Sequence, residues 1–161
     1  MWFLSTESVG IFWDYENVPL RHQDYKSFLT GLTNYINANN VEYFKVYYQA
    51  KSPISDSDFE LLKNIPQIQF KKTLQDGPNA ADNSLIQSCL DVLNNNEDIN
   101  HVILISGDAD FLTLIDQLHD WGVKITIICQ QHNYSDDLIT ESQKAYTVRH
   151  ISTNPYNWWI N

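Results

Sequence analysis

Cysteine is scarce in this chain of 161 residues: only Cys89 and Cys129 occur, and they form no C-x-x-C pair. That argues against a disulfide framework and a zinc site, and both thiols sit among apolar neighbours, as buried free cysteines do. Long hydrophobic runs are missing as well. No apolar stretch approaches the roughly 20 residues of a membrane span, and the opening MWFLSTES lacks the basic and apolar regions of a signal peptide. The expected location is the cytoplasm, with no membrane partner. Glycine and proline number five each, and no repeat, low-complexity tract or linker interrupts the chain. Basic residues are few: 10 Lys and Arg stand against 20 Asp and Glu, a formal charge of −10. Such a balance opposes broad attraction to a polyanion. Clustered acids that hold divalent cations would invert the sign locally.

What is present is material for a core. The chain is 43 % hydrophobic and 13 % aromatic, enough for one folded domain spanning 1–161, with a core of about 9–151 and a C-terminal tail, 152–161.

The most informative stretch is ILISGDADFLTLI, Ile103–Ile115. The apolar run Val102–Ile105 stops at Ser106-Gly107, two aspartates follow at Asp108 and Asp110, and Phe111, Leu114, Ile115 and Leu118 resume at helical spacing. This reads as buried strand, tight turn and helix. Further strands are expected at Val9–Trp13, Val41–Tyr48, Ile68–Leu74, Val123–Cys129 and, edge-like, Tyr146–Ile151. Helices are expected from Tyr25 to about Ile36, over Ser55–Asn64 with Phe59, Leu62 and Leu61 as inward candidates, from about Ala80 to Asn94, up to Trp121-Gly122, and over Ser135–Gln143. Strands alternating with helices predict an α/β fold, a mainly parallel sheet covered on both faces.

Three segments place acids where a strand ends or a helix begins. Asp14 follows the first strand, Asp82 opens the helix after the third, and Asp108 and Asp110 follow the fourth. In a parallel sheet these points share one edge, where ligands bind. Converging carboxylates raise one another's pKa unless a cation compensates. Mg²⁺ or Mn²⁺ suits oxygen ligands and can orient water for phosphodiester hydrolysis.

Simpler roles fit each residue alone. Asp108 can cap the helix starting near Ala109, with Asp110 a first-turn acid. Asn79 can cap its helix with Asp82 at the capping-box position, although Asp82 falls in the middle of the apolar stripe of Leu85, Ile86, Cys89, Leu90 and Leu93. Asp14 and Asn17 can be turn residues, and Glu16 a solvated charge. Lys71 and Lys72 either hold a phosphate or form a solvated strand end. Trp13, Tyr47 and Tyr48 either stack bases or fill the core. His22, His101, His119, His132 and His150 lie at no ligand spacing.

IFWDYEN (Ile11–Asn17), AADNSL (Ala80–Leu85) and ILISGDADFLTLI followed by WGVKITII (Trp121–Ile128) together resemble the NYN domain family, a LabA-like branch of the PIN-like nucleases. The resemblance spans about Val9 to Ile151. It implies a three-layer α/β/α sandwich with a PIN-like (Rossmannoid) sheet and a metal-dependent ribonuclease. By that resemblance Asp14, Asp82 and Asp108 are metal ligands, Asp110 a supporting ligand or base-side carboxylate, and Asn17 orients the first acid. Ser106 and Gly107 shape the turn, and Ser106 hydrogen-bonds in the site. The implied cofactor is Mg²⁺ or Mn²⁺, and the partner is RNA, single-stranded or structured, with Lys71 and Lys72, and Lys51 and Arg21 as additions, the basic residues available to grip it.

Two other functions compete. The −10 charge and the Tyr156-Asn157-Trp158-Trp159 tail fit a weakly active or inactive binding module, with the tail packing on a second subunit in a homodimer or back on its own chain. A phosphatase with an aspartyl nucleophile is suggested by the D-x-D at Asp108–Asp110, but Glu16 fits poorly as the paired acid after Asp14.

Overall fold

The computed structural model describes residues 7–20, 25–74, 80–130 and 147–151. The helix expected at Ser135–Gln143, the turn and cap around Asp76–Asn79, Arg21, His22 and the tail lie outside the described residues. Six strands form one sheet: β1 (Ser8–Asp14), β2 (Asn40–Gln49), β3 (Gln69–Thr73), β4 (His101–Ile105), β5 (Lys124–Gln130) and β6 (Thr147–Ile151). Their order is β3-β2-β1-β4-β5-β6, and every neighbouring pair is parallel. The helices are α1 (Tyr25–Ala38), α2 (Asp56–Leu62), α3 (Ala80–Asn95) and α4 (Leu112–Asp120), the last entered through a 3₁₀ turn at Ala109–Phe111. The expected α/β class and parallel sheet are borne out.

The period-two alternation of β1 sorts the core into two layers. Val9, Ile11 and Trp13 pack with Phe28, Leu32 and Ile36 of α1 and Leu62 of α2. Phe12 points the other way, into Leu85, Cys89 and Leu93 of α3 and Leu114, Ile115 and Leu118 of α4. In β4, Ile103 and Ile105 join the first layer, Val102 and Leu104 the second. A bulge in β2 restores the pattern: the register steps from Val9↔Val41 to Gly10↔Tyr43, so Val41 and Phe44 face the same layer. Both cysteines are buried and free.

Helix α2 departs from expectation. Leu62 alone of its apolar residues is buried, whereas Phe59 and Leu61 are exposed. Phe59 instead rests its ring on Phe70 of β3, centroids 4.8 Å apart. A seven-residue helix presents too narrow a face to bury three large side chains against a sheet margin. Helix α4 ends as Trp121-Gly122 implied. Gly122, at φ +74°, lets its N–H reach the His119 carbonyl and the Val123 N–H reach that of Leu118, a Schellman closure.

At the amino edge, buried His101 has Nδ1 3.0 Å from Glu7 and Nε2 2.8 Å from the Thr126 hydroxyl, while Lys124 pairs with the same glutamate at 2.9 Å. This histidine ties β1, β4 and β5 together, far from the other sheet edge where β1 and β4 deliver their carboxylates.

Candidate acidic metal centre

The chain winds from β1 outward to β3, then returns to place β4 on the other side of β1. The switch point of this doubly wound sheet is therefore the gap between the carboxyl ends of β1 and β4. Asp14 is the last residue of β1 and shares the parity of Phe12, so it emerges on the face covered by α3 and α4. Ser106 has the same parity on the β4 side. Asp82 opens α3 on that face, and Asp108 follows the Ser106-Gly107 turn.

Asp14, Asp82 and Asp108 each present a carboxylate oxygen within 4.8 Å of the other two. The donor set is all oxygen and anionic, the chemistry of a hard divalent cation. These residues fit such an ion.

Electrostatics points the same way. Asp14 is 3 % exposed, and burial first, then the charge of Asp82, push its pKa up to about 8 against the opposing hydrogen bond from Ser106; Glu16 and Asp108 add to the rise. Asp82 is 9 % exposed. Burial, then Asp108, Asp110 and Glu16, lift it to about 6. Two acids thus hold protons at pH values where free carboxyls have none, because burial and the neighbouring carboxylates both disfavour the charged form.

The supporting bonds are local and specific. The Ser106 hydroxyl donates to Asp14 Oδ2 at 3.0 Å and accepts the Asp108 N–H at 3.2 Å. Ser106 is fully buried, so its hydroxyl links two acids rather than facing solvent. Asn17 Oδ1 accepts the Gly107 N–H at 2.6 Å, joining the β1 turn to the β4 turn. Asp108 Oδ1 accepts the Asp110 N–H at 2.9 Å and caps the 3₁₀ turn. The capping role and membership of the cluster are therefore compatible, since the cap fixes where the carboxylate stands. Asp110 is exposed at the rim, outside the three-residue group.

The other candidates separate. Trp13 and Tyr47 are wholly buried, so neither stacks on a base, and Tyr48 packs against the α1 layer. Lys71 and Lys72 are both exposed and leave the sheet on opposite faces. Lys71 is in register with Tyr47, which is in register with Asp14, so all three share the α3 face. Lys72 aligns with Tyr48 and leaves from the opposite face. Strand alternation separates them. Glu16 is exposed, as a solvated charge should be, yet stands near enough to raise both Asp14 and Asp82. Its sequence neighbours carried no sign of that.

A parallel α/β/α sandwich with a carboxylate cluster at its switch point defines the PIN-like class of folds. Within that class the chain belongs to the NYN domain family, whose model matches residues 8–149, and that family is part of a nuclease superfamily. Among solved structures, the chain is similar to a protein of unknown function, VPA0982, from Vibrio parahaemolyticus RIMD 2210633. The two are 22 % identical with a TM-score of 0.64, covering 92 % of this chain and 96 % of that one. That likeness concerns the fold. A fragment of a putative lipoprotein from Peptoclostridium difficile 630 matches at 14 % identity over 94 % of this chain and 92 % of that one, with a TM-score of 0.44 too low to bear on the fold. No curated protein matches the chain. Among the described residues, no helix is long and apolar enough to cross a membrane.

Proposed function

We propose that this protein is a metal-dependent endoribonuclease that hydrolyses RNA phosphodiester bonds at the Asp14–Asp82–Asp108 cluster. The observation that carries this reading is the meeting, within 4.8 Å, of three carboxylates from three separate segments at the sheet's switch point. Asp14, Asp82 and Asp108 would hold Mg²⁺ or Mn²⁺. Bound there, the cation supplies Lewis acidity, neutralising charge that develops on the phosphoryl oxygens and orienting water for attack.

The chain's own residues do the rest. Ser106 aims Asp14 and ties it to the Asp108 backbone, which makes it a positioning residue. Asn17 holds the two turns at a constant separation. Asp110, at the exposed rim, would serve as a supporting ligand or as the carboxylate that takes a proton from the attacking water. Lys71, on the same face two strands from Asp14 and about 10 Å away at ordinary strand spacing, would hold a neighbouring phosphate. Lys72 has no part in this reading.

The test is cleavage of single-stranded and of structured RNA with Mn²⁺ by the parent, Asp14→Asn and Asp108→Asn. Asparagine is as good a helix cap as aspartate, so Asp108→Asn keeps the turn while removing the charge. The expected loss is roughly hundredfold or more for either variant. Equal cleavage by all three proteins overturns the assignment. The −10 charge, which weakens any grip on a polyanion, favours a second reading, a binding module on the same fold with little or no activity. It predicts no metal-dependent turnover of RNA by the parent in the same assay.

A further inference from the structure

We propose that Asp58, on α2 behind the sheet, is a positioning residue for the acidic centre, acting through Tyr15. This rests on the nuclease reading for its consequence, although not for its geometry. Asp14 and Tyr15 are consecutive, so alternation sends their side chains to opposite faces. Asp14 enters the cluster, whereas Tyr15 is buried in the α1–α2 layer. There the ring lies 5.6 Å from that of Trp13, and its hydroxyl donates to Asp58 Oδ2 at 2.6 Å. That is the short, strong bond of a phenol to a carboxylate.

The turn so held is the one that carries the site. The Tyr15 N–H donates to the Tyr47 carbonyl, and the Val18 N–H to that of Asp14. Trp13 Nε1 donates to the Val18 carbonyl at 2.9 Å. On the site face, Asn17 receives the Gly107 N–H. The first three of these bonds are made within β1, its turn and β2, and the Asn17 bond joins the turn to the segment it must face. The Tyr15–Asp58 bond alone among these anchors the turn to a helix of the opposite layer. That helix has its own start fixed by Ser55, whose hydroxyl accepts the Asp58 N–H at 3.2 Å. Rotation of the turn about the β1 axis would swing Asp14 away from Asp82 and Asp108. A tether at the adjacent residue, on the far side of the sheet, resists that rotation.

The experiment measures Mn²⁺ affinity and RNA cleavage for the full chain, Tyr15→Phe, Asp58→Ala, the double variant and Asp58→Asn, with Ile36→Val as a packing control in the same layer. Tyr15→Phe and Asp58→Ala are expected to weaken Mn²⁺ binding and lower kcat by roughly tenfold, with KM for RNA held. The double variant should be no worse than the poorer single, and Asp58→Asn, which keeps an acceptor, should restore most of the loss. Parent-like affinity in both single variants overturns the proposal, as does an equal loss in Ile36→Val. Should the parent neither bind Mn²⁺ nor cut RNA, the nuclease reading fails, and hydrogen exchange at the Gly107 amide decides the tether separately. Faster exchange in Tyr15→Phe than in Ile36→Val supports it, and equal exchange overturns it.

Discussion

Asp14 is costly to ionise where the fold buries it beside Asp82. Its carboxyl titrates at about 8 in the fold against 3.8 for the free side chain, so between those values the folded chain binds more protons than the unfolded one. Stability must therefore fall as pH rises from about 4 to 8. Asp82, lifted to about 6, adds to the fall over the lower half of that range. Glu7 and Glu42, whose carboxyls are held below their usual range by hydrogen bonds to Lys124 and Ser8 respectively, work in the opposite sense only near pH 4 and below, and His101, held below its usual value by burial, offsets part of the fall as pH rises toward 6.5. At about 1.4 kcal/mol per unit, and allowing for relaxation, thermal melts in EDTA should lose about 2–4 kcal/mol from pH 5 to pH 8, or about 5–12 °C. Asp14→Asn should flatten that slope and raise Tm at pH 8. Mn²⁺ should raise the parent's Tm by several degrees at pH 8 and far less at pH 5, where protons compete for the same oxygens. A metal-free melting curve flat from pH 5 to 8 would contradict the buried-acid account.

At the scale of elements, strand alternation is the device that assigns roles. It sends Asp14 and Ser106 to one face, Trp13 and Tyr15 to the other, and it parts Lys71 from Lys72. Lys71→Ala should raise KM for RNA several-fold and make the salt dependence of binding shallower by about one unit of slope. Lys72→Ala should do neither. Loss of RNA affinity on removing Lys72 alone would show that substrate crosses the edge of the sheet. The same period-two rule, applied to QFKKT, was available from the sequence and would have separated the two lysines. The inward placement expected of Phe59 and Leu61 failed for another reason. Helical periodicity says which residues share a face, but not how much neighbouring surface exists to cover it, and α2 meets only the margin of the sheet.

For the whole molecule, charge is the governing fact. Twenty acids against ten basic side chains leave few cationic groups to release the counterions condensed on RNA, so on the nuclease reading affinity comes from a small set of contacts and from cations that the cluster would hold. The slope of log K against log salt for single-stranded RNA, measured by fluorescence anisotropy, should be near −2, the value for about three phosphate contacts. A slope steeper than about −5 would reveal many more phosphate contacts than this reading allows. The two packed layers and the parallel sheet account for why such a surface is not needed for folding: every strand of the centre is buried on both faces by apolar side chains.

Local periodicity by itself determined the α/β class, the strands and helices around the centre, and the positions of Asp14, Asp82 and Asp108 at element ends. These follow from backbone geometry, which repeats every 2 or 3.6 residues whatever surrounds it. The tertiary structure alone decided that the three acids stand within reach of one another, that Ser106 bridges two of them, and that Tyr15 reaches Asp58. Those contacts join residues up to 94 positions apart, counted from Asp14 to Asp108. They depend on the order of strands in the sheet, which no single segment encodes.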